Sequence, residues 1–108
     1  MSVFPITDLP TLLPFEAGKR TNQVLVDLPS QSKLVLVALD GGVEVAPHAV
    51  PYAAGVLVLS GAVEVLLGET WHPAGPGQYV PVPVQTRHAL RASEPSHVLV
   101  VHARGVTA

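Results

Sequence analysis

The sequence predicts an all-β fold, a sandwich or barrel of short strands, on three observations. Eleven prolines and nine glycines interrupt the 108 residues every few positions and leave little room for helices. Between them lie brief runs rich in Val and Leu, at intervals of about 8–12 residues with turn residues in the gaps. Several runs, such as "GVLVLSG" and "HVLVVHA", are apolar on both parities, whereas an antiparallel strand with one wet face would alternate. Those strands are expected to be covered twice, by the interior on one side and by a helix or a partner subunit on the other.

The elements follow in order. "TDLPTLL" (7–13) can start one short helix, with Thr7 or Asp8 as cap and Pro10 in the first turn. "NQVLVDL" (22–28) and "KLVLVALD" (33–40) read as strands joined by the turn "PSQS", and the pair Gly41–Gly42 ends the second. "VEVAPH" (43–48), "AGVLVLS" (54–60), "AVEVLLG" (62–68), "ETWHP" (69–73), "QYVPVPV" (78–84), "RHALRA" (87–92) and "HVLVVHA" (97–103) are the remaining strands. Pro81 and Pro83 cannot donate to a ladder, so their strand is an edge or an irregular one. Gly61 and Gly77 fall at turns, where a positive φ or a tight approach excludes a side chain.

A chain of this length is one domain and buries roughly 65% of the surface its unfolded form exposes, enough for a core without staples. It has no cysteine, which removes disulfides, thiolate metal sites and cysteine nucleophiles and is in keeping with a cytoplasmic protein. Six Lys/Arg and eight Asp/Glu give a formal net charge of −2, and charged residues are only 13% of the chain, against the usual ~25%. Cations outside the Lys19–Arg20 pair are scattered singly, so no nucleic-acid-binding face is expected. So few charges on a small domain predict that part of the outer surface is hidden in a homodimer. Val45 to Val63 is nineteen residues without a formal charge, but Pro47, His48, Pro51, Gly55, Ser60 and Gly61 break it up, and no membrane span is expected. The start "MSVFPITDLP" lacks the basic and apolar regions of a signal peptide.

Two stretches carry the chemistry. The first is Gly42, five residues, His48-Ala49-Val50, then Ala54, six residues, Gly61; the second is Gly77, five residues, Pro83, and His88 five positions on. Their frame resembles the cupin family, whose first motif is Gly, five residues, His-x-His, three or four residues, Glu, six residues, Gly. The family's second motif is Gly, five residues, Pro, then His, often with Asn four beyond, where this chain has Ala92. The resemblance implies a cupin-type jelly-roll β-barrel (a double-stranded β-helix) with at most one short N-terminal helix. It divides the chain into an N-terminal segment, 1–21, used in dimer contacts, the barrel, 22–104, and a tail, 105–108.

Val50 stands where the family has its second His and Ala54 where it has Glu. In a typical cupin those two, with the histidines matching His48 and His88, hold a divalent metal, so the usual site is incomplete. His48, Val50, Tyr52 and Ala54 share one parity if the strand stays regular, and the resemblance makes it the inward one. It also turns His88 and Leu90 inward, and places His102, fourteen residues after His88, on the last strand with its side chain in the barrel. Ligand-binding candidates are therefore His48, Val50, Tyr52, Ala54, His88, Leu90 and His102. His48, His88 and His102 would together offer three nitrogens to Zn²⁺, Fe²⁺, Ni²⁺ or Cu²⁺; the competing reading is three imidazoles hydrogen-bonded in a metal-free cavity.

Two functions follow. A barrel lined by Val, Ala, Leu and imidazoles suits a small, largely apolar ligand carrying one polar or anionic group. With a metal it would instead be an enzyme of the cupin dioxygenase or isomerase type, and without one a neutral imidazole could still move a proton. Outside this set, His72 reads as a rim imidazole, His97 as solvent-exposed after the turn "SEPS", Trp71 as packing and Arg87 as solvated. Glu44 and Glu64 lie on strands whose inward parity the sequence leaves open.

Overall fold

A computed structural model describes residues 6–107; residues 1–5 and 108, which belong to the expected N-terminal segment and tail, lie outside the described residues. The one helix among the described residues, α1 (Leu9–Leu12), is a single turn with Asp8 at its N-cap and Pro10 in the first turn, where proline's missing N–H costs nothing. Asp8 caps by its main chain: its carbonyl accepts from the Thr11 N–H at 3.0 Å and from the Thr11 hydroxyl at 2.7 Å.

Nine strands follow: β1 (Arg20–Leu28), β2 (Ser32–Leu39), β3 (Glu44–His48), β4 (Ala53–Ser60), β5 (Val63–Leu67), β6 (Thr70–Ala74), β7 (Tyr79–Val82), β8 (His88–Ala92) and β9 (Ser96–Ala103). All nine expected runs are strands, with ends moved by one or two residues. They form two antiparallel sheets, one of five strands in the order β1-β2-β9-β4-β7 and one of four in the order β3-β8-β5-β6. The core lies between them. Val35, Val37, Leu39, Val56, Val58 and Val98 from the first sheet meet Val63, Val65, Ala74, Leu90 and Ala92 from the second.

β7 is an edge strand, so the ladder loses nothing to Pro81, and Pro83 lies beyond its end. β2 and β9 are apolar on both parities because both sides are covered. Val35 and Val37 face the core while Leu36 and Ala38, on the opposite face, are also buried. Part of that outer cover is the N-terminal segment, which packs α1 on β4 and brings Leu13 and Phe15 to His97 on β9.

This contact corrects the expectation that His97 is exposed: it is 4% exposed. Its Nε2–H donates to the Leu13 carbonyl at 2.7 Å, Nδ1 accepts from the Ser60 hydroxyl at 2.9 Å, and the Phe15 ring lies 4.4 Å away, centroid to centroid. Strand parity does turn His97 away from the barrel, but a segment more than eighty residues earlier in the chain roofs it over.

Candidate functional site

The first sheet lays its inward residues in rows. In register, Lys33 on β2 opposes His102 on β9, His102 opposes Ala54 on β4, and Ala54 opposes Val82 on β7. The next row is Val35, Val100, Val56 and Val80. On the facing sheet His48 of β3 pairs with His88 of β8, and their ring centroids are 4.2 Å apart. Between the sheets is a cavity of about 270 Å³, walled by Val35, Val56, Val82 and Val100 among other apolar residues, by Ala54, Leu90 and the three imidazoles, and by Arg20, Asn22 and Lys33.

Five of the seven expected site residues thus line one cavity: His48, Ala54, His88, Leu90 and His102. Val50 does not. β3 stops at His48 after an irregularity that begins at Val45, and the chain bends at Pro51–Tyr52 before β4, so alternation does not carry across. Val50 instead offers its carbonyl to the Gln85 N–H at 2.9 Å. Tyr52 is outside the cavity wall but its hydroxyl meets His102 Nδ1 at 3.0 Å.

Hydrogen bonds fix the tautomers. His48 Nδ1 lies 3.1 Å from the Ala46 carbonyl and His88 Nδ1 lies 2.9 Å from the Thr86 carbonyl. Carbonyls only accept, so in the neutral rings both Nδ1 atoms carry the proton and both Nε2 atoms keep a lone pair. His102 is held differently. Its Nδ1 meets the Tyr52 hydroxyl, which can donate as well as accept. When the hydroxyl donates, His102 carries Nε2–H. Arg104, near the same barrel end, is anchored by Asp27 at 2.7 Å.

Burial is the main cause that holds His88 below its ordinary pKa, against the pull of the Thr86 carbonyl and with the help of His48. Burial also leads for His102, followed by the charges of Lys33 and Arg104 and then by His48 and His88. Both rings are therefore neutral at pH 7. The cavity has two acceptor nitrogens on one wall and the His102 imidazole on the other.

Among the described residues, no three His, Asp or Glu side chains are grouped so as to hold a metal ion. The three-nitrogen set expected of His48, His88 and His102 is not assembled: two imidazoles touch on one sheet and the third stands on the other. Val50 and Ala54 add no donor atom, so the residues present fall short of the three protein ligands a catalytic site of this kind uses.

The other residues fall into place on the outside. Glu64 accepts from Arg91 Nε at 3.0 Å, and the Arg91 guanidinium lies 3.9 Å from the centroid of the Trp71 ring. Glu44 pairs in register with Arg91, so neither glutamate faces the cavity and Trp71 packs rather than stacks on a ligand. His72 and Arg87 are exposed. Lys33 and Arg20 were missed as cavity residues, although Lys33 shares the parity of Val35 and Val37 in "KLVLVALD". That parity was the available signal.

A two-sheet antiparallel barrel with the Gly–His and Gly–Pro–His frames at its strand ends defines a small β-barrel of jelly-roll type. The cupin-domain family profile matches residues 35–102, and the chain belongs to the cupin family. Among solved structures it is similar to a conserved protein of unknown function from Streptococcus pyogenes, 26% identical, covering 96% of this chain and 90% of that one with a TM-score of 0.88. It is similar to KdgF from a Halomonas species at 26% identity and a TM-score of 0.73, covering 85% of each chain. A cupin superfamily protein from Desulfitobacterium hafniense shares the fold at 14% identity, with a TM-score of 0.85 over 95% of this chain and 93% of that one. Comparison with functionally curated proteins gives no match. No helix among the described residues is long and apolar enough to cross a membrane.

Proposed function

We propose that this cupin is a binding module for a small, largely apolar molecule held in the barrel. The observation that carries it is the cavity itself: about 270 Å³, mostly apolar-walled, with three imidazoles along it. Its size is just below the ~300–1,000 Å³ of sites for drug-sized ligands, which suits a smaller compound. Apolar walls supply affinity by burial, and the few polar nitrogens set orientation.

The test is a thermal-shift screen of small organic compounds and of Zn²⁺, Fe²⁺, Ni²⁺ and Cu²⁺, on the wild type and on His48→Ala, with elemental analysis of protein purified without a histidine tag. Stabilisation by an organic compound and not by a metal is the expected result. Stoichiometric metal in the purified protein, or metal-dependent stabilisation lost in His48→Ala, would replace this reading with the metal-dependent enzyme.

A further inference from the structure

The cavity wall carries two cations, Arg20 and Lys33, and no carboxylate, in a chain whose formal net charge is −2. Lys33 is the better placed of the two, because it directly opposes His102 in the β2–β9 ladder, and directly opposed side chains on one face stand about 5 Å apart at Cβ. Asp27 opposes Lys33 on its other side, but its carboxylate is engaged by Arg104. Among the described residues Lys33 has no ion-pair partner of its own.

The polarity of the two walls decides where an anion would sit. His48 and His88 present lone pairs, which repel a carboxylate oxygen. Across the cavity, His102 stands beside an ammonium with three donors. With the Tyr52 hydroxyl donating to its Nδ1, a neutral His102 presents Nε2–H to the cavity.

We propose that the ligand is a small monocarboxylic acid, with its carboxylate between the Lys33 ammonium and His102 Nε2–H and its apolar body along Val35, Val100 and Val56. This rests on the cavity being a ligand site and names the class of compound it takes. An ammonium and one N–H satisfy the two oxygens of a carboxylate.

Matched pairs of acid and amide test the proposal without altering the protein: hexanoate against hexanamide, and phenylacetate against phenylacetamide, titrated calorimetrically at low ionic strength. In each pair the acid is expected to bind about tenfold or more tightly, as a charge-assisted pair should. Lys33→Met is expected to bring the acid to within about threefold of the amide while amide binding survives. Equal binding of acid and amide by the wild type would overturn the anion site and leave the cavity as a ligand site. An acid preference that persists in folded Lys33→Met would also overturn it, and binding of neither compound would overturn both readings.

Discussion

Gly61 and Gly77 have nearly the same backbone, with φ of +85° and +84°, but different surroundings, and the pair makes a controlled experiment. An alanine at either position pays about 1–2 kcal/mol for the left-handed conformation, partly offset by about 0.4–1 kcal/mol from a less disordered unfolded chain. At Gly77 the new Cβ meets nothing within 4 Å, so the cost of Gly77→Ala stays near 1 kcal/mol. At Gly61 it overlaps Ser96 and the Pro95 carbonyl, with the Ser96 Cα only 2.7 Å away. The Pro95 carbonyl oxygen and the Ser96 Cα are backbone, and cannot swing aside as a long side chain would. Moving them costs about 1–3 kcal/mol. It also disturbs the Ser96 hydroxyl, which accepts from the Ala62 N–H at 3.0 Å and donates to the Glu94 carbonyl at 2.7 Å, for about 1 kcal/mol more. Gly61→Ala is therefore expected to be less stable than Gly77→Ala by about 3 kcal/mol, because the conformational term cancels between them. Urea unfolding reads this as a midpoint lower by about 1–3 M at m-values of ~1–3 kcal/mol/M. A difference below about 1 kcal/mol would refute the close approach of the β4–β5 turn to the start of β9.

The depressed pKa values of His88 and His102 make stability depend on pH. Unfolded histidines take up protons near pH ~6.5 while these two stay neutral, so the contribution is complete above that pH and is lost as pH falls below it towards their folded values. The melting temperature is expected to drop between roughly pH 7 and pH 5, and less so in His102→Gln; a flat profile would contradict the burial of these rings. His97→Ala leaves the Leu13 carbonyl and Ser60 without their partner and is expected to cost about 2–4 kcal/mol, measured by denaturant unfolding; a loss under about 0.5 kcal/mol would place His97 at the surface. Val24 and Leu28 are 46% and 47% exposed on the edge strand β1, so a two-fold dimer is expected in sedimentation at micromolar concentration, and a clean monomer would refute it.

Much of the fold can be read from local residue chemistry. Proline and glycine act on their own backbone, and strand burial leaves its mark in the parity of Val and Leu, so nine strands and a one-turn helix are visible along the chain. His48, His88 and His102 are legible because the cupin resemblance assigns the inward parity of their strands and strand alternation carries it along. Val50 fails for the same reason: alternation predicts only while a strand continues, and Pro47 and Pro51 bracket the place where it does not.

What the sequence by itself determined is therefore the β-barrel of the cupin family and the set of imidazoles its frames turn inward. The tertiary structure alone decided the partnerships. It put Lys33 beside His102 across a ladder, joined His102 to the Tyr52 hydroxyl, roofed His97 with Leu13 and Phe15, and left the three histidines on two walls instead of around one point. Register, hydrogen-bond partner and cover depend on segments far apart in the chain, and no residue's own conformational preference records which distant segment will meet it.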